Sequence, residues 1–294
     1  MMKKTRRETL KTLAGTAAAG AMTPLISKSR NPWKSSTPLK LKGRINHSVC
    51  RWCYNDFSLE ELCETARDLG LKSIDLTGPK EWPVLKRYGL TCAMPHGAGL
   101  GIERGFNNPE LHDELVKSYT EIIPLVAEAG MKQIICFSGN RNGLDDAEGI
   151  RNCAEGLRKV MPVAEKYNVT MCMELLNSKV DHADYQADHT SWGVEVCKAV
   201  GSEKMKLLYD IYHMQIMEGD VIATIRKYHP YISHYHTGGV PGRNEIDETQ
   251  ELNYPAIMRA IVETGYKGFV AQEFIPTWED KKAALKQGIE ICDV

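Results

Sequence analysis

Four β-rich segments of this 294-residue chain end on a group that can bind a cation or move a proton. They are Met171-Cys172-Met173-Glu174, Leu207-Leu208-Tyr209-Asp210, His234-Tyr235-His236 and Val270-Ala271-Gln272-Glu273. A single carboxylate after an apolar run is usually a cap for the next helix or a surface group. Three carboxylates and an imidazole at successive strand ends demand another account, because burying ionised carboxylates without a partner is very costly. A divalent cation removes that cost. Oxygen-rich ligation with one imidazole suits Mg²⁺ or Mn²⁺, with Co²⁺ as an alternative, better than a structural zinc site.

Such groups must be held at the same end of neighbouring strands. From residue 44 the sequence alternates short β-rich runs with longer amphipathic ones. Strands are expected at 45–50, 73–76, 91–94, 133–137, 170–175, 206–210, 232–236 and 268–274. Helices are expected at 59–69, 82–88, 109–129, 147–167, 192–200, 221–227, 254–264 and 281–291. Ser58 can cap the first of these helices, with Glu61 at the capping-box position. Gly70, Gly130 and Gly265 follow helical runs, where a left-handed residue ends a helix. Strict βα alternation implies a parallel sheet with helical crossovers. Eight units favour closure into a single (β/α)₈ TIM barrel, with its site at the C-terminal strand ends. The first turn, Cys50-Arg51-Trp52-Cys53-Tyr54, lacks the Gly-rich phosphate fingerprint of a nucleotide-binding open sheet, so no nucleotide cofactor is expected.

Tyr209-Asp210-Ile211-Tyr212-His213-Met214-Gln215, followed by Met217-Glu218-Gly219-Asp220, resembles the hydroxypyruvate isomerase family, one of the xylose isomerase-like (AP endonuclease 2 type) TIM barrels. Further matches are Met173-Glu174-Leu175-Leu176-Asn177, Pro241-Gly242-Arg243, Glu251-Leu252-Asn253-Tyr254 and Gln272-Glu273-Phe274. The resemblance implies that Glu174, Asp210, His236 and Glu273 bind the metal. It also implies that Glu174 and Glu273 are the paired acid/base groups and that His213 and Arg243 contact substrate. One position departs: bacterial hydroxypyruvate isomerases place Gln where this chain has His236, whereas ketose 3-epimerases place His there. The implied reaction is sugar or keto-acid isomerisation, with ketose or 3-keto-sugar epimerisation as the alternative. In both, a proton leaves a carbon next to a carbonyl and an anionic enediolate forms.

Other residues carry two readings each. His96, in Met94-Pro95-His96-Gly97, is either a substrate-binding residue or a structural one. His234 shares a face with His236 and is expected to pack beneath it. His182 and His189 lie in a polar segment that is either a lid or a solvated loop. Trp52 and Tyr54 either wall a substrate or cap the barrel. Glu103-Arg104-Gly105 resembles a family loop but suits a solvated turn equally. Cys50 and Cys53 have CxxC spacing without a second pair for zinc, and the nine cysteines are expected as buried thiols.

Composition bounds the remaining classes. Hydrophobic residues make up 43% and charged residues 26%, as in a soluble globular protein, and the formal net charge of −1 provides no basic field for nucleic acid. A metallohydrolase would want more strand-end histidines and a basic groove. A non-catalytic sugar-binding barrel would have no need of both glutamates. Residues 1–35 read as a twin-arginine export signal and linker: Arg6-Arg7, Leu10-Lys11, then a small-residue apolar run at 13–22 too short for stable membrane insertion. The barrel is assigned to 36–294. The expected location is the periplasm, or the cytoplasm if the segment is only a basic tail. The expected partner is a small-molecule sugar or keto-acid, with a homo-oligomer expected by analogy alone.

Overall fold

The computed structural model describes residues 39–96 and 98–294, so the twin-arginine segment lies outside the described residues. Seven strands are formed among these residues: β1 Asn46–Cys50, β2 Ser73–Asp75, β3 Gln133–Cys136, β4 Thr170–Leu175, β5 Met205–Asp210, β6 Ile232–Thr237 and β7 Phe269–Gln272. All pair in parallel, in the order β2-β1-β7-β6-β5-β4-β3. The helices between and after them are α1 Leu59–Asp68, α2 Trp82–Arg87, α3 His112–Glu128, α4 Asp146–Tyr167, α5 Thr190–Val200, α6 Ile211–Met217, α7 Val221–Tyr228, α8 Tyr254–Glu263 and α9 Lys281–Cys292. The strands are largely buried on both faces, as in a barrel whose outside is covered by helices. Leu207 and Leu208 are both fully buried, each worth roughly 1.5–3 kcal/mol of apolar burial.

The expected strand at 91–94 is replaced by an irregular segment that closes the ring. Ile74 N donates to Thr91 O (3.0 Å) and Leu76 N to Met94 O (2.8 Å), while Ile135 N reaches Pro95 O (3.4 Å). The segment therefore lies between β2 and β3 without a regular ladder on either side. Three local causes are visible. Pro95 has no N–H and so cannot donate to a ladder. The Ser73 hydroxyl takes the Ala93 N–H at 2.7 Å in place of a backbone carbonyl. Leu76 adopts φ +59°, which turns the chain off the β2 direction.

Two further features were not in the sequence reading. Helix α6 begins directly on Asp210, with no loop after β5. Between β5 and β6 the register slips, Leu207 facing Ile232 and Leu208 facing His234, so Ser233 is an extra residue. This bulge lets successive side chains enter the interior: Ser233 Oγ bonds Gln133 Oε1 (2.5 Å) and His234 bonds Asp75. The expected caps are present, with Ser58 Oγ accepting from Glu61 N at 3.0 Å and Gly130 and Gly265 at φ +82°. All nine cysteines are free and buried, and burial pushes the Cys50 and Cys53 thiols well above their usual range. Among the described residues no helix is long and apolar enough to cross a membrane.

Candidate functional site

The four strand-end residues converge. Glu174 is the penultimate residue of β4, Asp210 the last of β5, His236 the penultimate of β6, and Glu273 directly follows β7. One donor atom from each lies within 4.8 Å of the others, and all four side chains are buried. His236 Nδ1 sits 2.8 Å from Glu273 Oε2 and 3.3 Å from Glu174 Oε1, so the two glutamates converge on one imidazole nitrogen. Asp210 plays both parts that a carboxylate after a strand can play. Its Oδ1 caps α6 by accepting from His213 N at 3.0 Å, while Oδ2 receives Arg243 Nη2 at 3.3 Å. Three carboxylates and one imidazole nitrogen aimed at them form a donor set that fits an oxygen-preferring divalent ion.

The electrostatics follow from burial and from two cations. Burial pushes Glu174 above the usual carboxylate range despite the nearby His236. Burial likewise lifts Asp210 to about 8, against the pull of the Arg243 guanidinium. Glu273 feels the same burial, yet His236 and Arg243 overcome it and hold its carboxyl well below the usual range. Burial opposes a charge on His236, but Glu273 and Glu174 raise it well above the usual imidazole value. The three clustered acids thus respond unequally: Glu174 and Asp210 are shifted upward and Glu273 downward.

Arg243 is clamped from several directions. Its Nη2 donates to Glu273 Oε2 at 2.7 Å as well as to Asp210, and its Nε to the Glu273 carbonyl at 3.3 Å. The guanidinium carbon lies 5.1 Å from the Trp52 ring and 5.3 Å from that of Tyr212, between two aromatic faces. Trp52 Nε1 donates to Glu273 Oε1 at 2.7 Å. Trp52 is therefore a hydrogen-bonding partner of the donor set. Tyr54 is fully buried in the core.

His213, on α6, is fully buried below the rim. Its Nδ1 accepts the Asn177 backbone N–H at 3.1 Å, which leaves the proton on Nε2. That Nε2 is buried without a hydrogen-bond partner among the described residues and lies 3.8 Å from Asp210 Oδ2. Burial, reinforced by Arg243, keeps this ring well below the usual imidazole pKa. The neutral ring thus holds one N–H donor beside the donor set. His96 is different: its side chain is exposed, and among the described residues it makes no hydrogen bond to the cluster. The segment that follows β4 is solvated at 181–184 and anchored beyond it. Tyr185, Gln186, Ala187 and Asp188 are buried, and Asp188 accepts from Ser178 Oγ (2.6 Å) and Arg141 Nη2 (3.1 Å). His182 lies tilted against the His213 ring, 5.3 Å between centroids, and, with Leu100 to Arg104, lines a cleft of about 430 Å³. His189 pairs with Asp188 and remains exposed.

A buried carboxylate absent from the sequence reading is Asp75, the last residue of β2. It bonds His234, and Asp75, His234 and His236 bring donor atoms within 4.8 Å of one another. Burial opposes its charge, yet His234, His236 and the Ser48 hydroxyl hold its pKa below the usual range. The signal is the one that marks Glu174, Asp210 and Glu273: a short strand ending on an acid. Extending that strand to Leu76 hid it.

Known proteins place this architecture. A 2-oxo-tetronate isomerase from Cupriavidus necator is 34% identical over 122 residues, which are 42% of this chain and 46% of that protein, so the match spans under half of the relative. The hydroxypyruvate isomerase of Escherichia coli K12 is 29% identical over 227 residues, 72% of this chain and 86% of that protein. The crystal structure of D-psicose 3-epimerase from Clostridium cellulolyticum H10 superposes with a TM-score of 0.67 at 19% identity, covering 85% of this chain and 100% of that one. A family model described as xylose isomerase-like TIM barrel matches residues 63–293, and the chain belongs to that family.

Proposed function

We propose that the chain is a divalent-metal-dependent isomerase of a sugar or keto-acid, acting by proton transfer between Glu174 and Glu273 through an enediolate. The observation that carries this is the convergence of the two glutamates on His236 Nδ1, at 3.3 and 2.8 Å, beside Asp210. Glu174, Asp210, His236 and Glu273 would hold Mg²⁺ or Mn²⁺, with Co²⁺ as an alternative. The ion, when bound, offsets the negative charge that develops on adjacent substrate oxygens. One glutamate takes the proton from carbon and the other delivers one to the neighbouring carbon, while the hydroxyl proton passes to the former carbonyl oxygen; such proton transfer is typically worth about 10²–10⁴-fold. His213 offers its Nε2–H to a substrate oxygen. Arg243 supplies a fixed positive charge and paired donors at the rim. Trp52 holds Glu273 through Oε1, so that this carboxylate presents a constant face.

A second reading, epimerisation of a ketose or 3-keto-sugar, is favoured by His236 itself, which stands in the donor set as in the ketose 3-epimerases. The same pair of glutamates serves both, since the outcome depends on which carbon and face receives the returning proton.

The test is solvent-deuterium exchange with hydroxypyruvate, ketoses and 3-keto sugars, with Mg²⁺, Mn²⁺ or Co²⁺ present. We expect incorporation into at least one substrate, and its loss in Glu174→Gln and in Glu273→Gln. Full turnover by either variant at equal metal loading would sink the mechanism. Exchange with none of the substrates would favour a sugar-binding barrel. Export to the periplasm by residues 1–35 is part of the proposal and is tested by fractionating cells that express the full chain and an Arg6→Lys/Arg7→Lys variant.

A further inference from the structure

A second buried cluster lies behind the donor set. Asp75 ends β2 and His234 lies on β6, strands separated by β1 and β7, so contact between them crosses the barrel interior. Asp75 Oδ2 is 2.7 Å from His234 Nε2. Asp75 Oδ1 accepts from Ser48 Oγ at 2.7 Å and Ser73 Oγ at 2.8 Å. All four side chains are fully buried. The His234 ring meets the His236 ring edge-on, 5.2 Å between centroids at 84°.

His236 has its two nitrogens in two different environments. Nδ1 faces Glu273 and Glu174. Nε2, on the other side of the ring, lies 3.9 Å from Asp75 Oδ2 and 3.7 Å from Cys50 Sγ. An imidazole that offers its Nδ1 lone pair to a cation carries its proton on Nε2. Histidines that bind metals commonly turn that second N–H toward a carboxylate, which sets the tautomer and the ring orientation. The carboxylate nearest Nε2 here is Asp75, which at 3.9 Å acts on it through charge and not through a hydrogen bond, with Cys50 Sγ the nearer atom at 3.7 Å.

We propose that Asp75 is a positioning residue for the donor set: with His234 packed edge-on against the ring, it fixes His236 so that Nδ1 faces the ion and Nε2 keeps its proton. The proposal rests on the metal-dependent reading above and adds a residue to it. The competing account is mechanical, a buttress joining β2 to β6 across the barrel. The two accounts diverge for Asp75→Asn, which preserves shape and one acceptor but removes the charge. A buttress would lose thermal stability and leave the donor set as it was. A positioning carboxylate would change metal affinity, by about 10- to 100-fold where such partners are removed.

The experiment uses the full chain and Co²⁺, with the dissociation constant measured calorimetrically and the visible absorption spectrum recorded for wild type, Asp75→Asn and Ser48→Ala. We expect Asp75→Asn to bind Co²⁺ about 10- to 100-fold more weakly with an altered spectrum, and Ser48→Ala to move both in the same direction by less. Unchanged affinity and a superimposable spectrum in folded Asp75→Asn would overturn the proposal, whatever its melting temperature. If Asp75→Asn does not fold, Ser48→Ala decides, and wild-type affinity and spectrum there overturn it equally. A wild-type chain that binds none of Co²⁺, Mn²⁺ and Mg²⁺ would instead overturn the metal-dependent reading and this proposal with it.

Discussion

Trp52→Phe isolates one hydrogen bond at the centre of the proposed chemistry. The indole N–H reaches Glu273 Oε1 at 2.7 Å, and Glu273 is the acid whose pKa His236 and Arg243 pull well below the usual range despite burial. Phenylalanine keeps an aromatic face against Arg243 and removes only the donor. A hydrogen bond to a charged group is worth about 1.5–3 kcal/mol, and about 1.4 kcal/mol is tenfold in rate, so its full loss corresponds to roughly 10- to 150-fold. Trp52 is only partly buried, which lets water replace the lost donor and favours the lower end. The stacking change from indole to phenyl against Arg243 is smaller, about 0.5 kcal/mol or a little over twofold. We therefore expect kcat to fall about tenfold, with KM changed far less, because the bond orients the proton-transfer group and touches no substrate. Steady-state kinetics at saturating metal, with a melting curve to verify folding, is the assay. A folded, metal-loaded Trp52→Phe enzyme with kcat within twofold of wild type would refute the claim that Trp52 holds Glu273 in its working position.

Three further outcomes are expected. Arg243→Lys keeps the charge but cannot donate to Asp210, Glu273 Oε2 and the Glu273 carbonyl from one planar group, so KM in steady-state assays should rise about tenfold or more. A wild-type KM would show that the fork geometry is irrelevant. Gly105→Ala should destabilise by at least about 1–3 kcal/mol, because its Cβ would come 2.3 Å from Gly139 N and from Ser138 C, both backbone atoms; urea unfolding with an unchanged midpoint would contradict this. Buried His47 has its pKa lowered by desolvation, with Asp293 opposing. The unfolded chain therefore binds the extra proton first. His47 supports stability above pH ~6.5, and that support is lost as pH falls through 6.5 toward the folded value, at no more than roughly 1.4 kcal/mol per pH unit. Urea unfolding at pH 7.5 and 5.5 should show a steeper acid loss for wild type than for His47→Gln; equal slopes would exclude this contribution.

The site was legible where a strand ends abruptly on an acid. Glu174, Asp210 and Glu273 each close an apolar run, and period-two alternation fixes which side chains share a face. The irregular segment at 91–95 was opaque for the opposite reason. Its β-rich composition is real, but Pro95 and the Ser73 hydroxyl replace the ladder bonds that composition cannot report. Helix α6 was missed because Ile211, Tyr212, His213, Met214 and Met217 are all buried, which leaves a seven-residue run with no polar face to reveal its period. Trp52 reads from sequence as either a substrate wall or a barrel cap, because nothing local shows that its N–H meets a residue 221 positions away. The Ser233 bulge lies in the pairing of two strands and in neither strand alone.

Arg243 joins these threads, since its backbone is as unusual as its contacts. It adopts φ +58°, a left-handed conformation costly for a long side chain, directly after Gly242 at φ +89°. Such a conformation persists when its surroundings over-determine it, and here both peptide groups are engaged. Arg243 N donates to Gly239 O at 2.8 Å, and Ile275 N donates to Arg243 O at 2.7 Å. The second bond ties the segment after β6 to the segment after β7, the two that carry Arg243 and Glu273. Glu245 repeats the connection, its carboxylate accepting from Trp278 N at 2.9 Å and Thr277 Oγ1 at 2.9 Å. Gly238, just past β6, leaves room for the guanidinium stem, since a Cβ there would lie 3.3 Å from Arg243 Cγ and 3.2 Å from Tyr212 Cβ. A relaxed backbone at 243 would point the side chain elsewhere. The strained one delivers it between Trp52 and Tyr212 onto Asp210 and Glu273. The cost in backbone energy is thus tied to one charge at one place, and that place is where three buried carboxylates most need it.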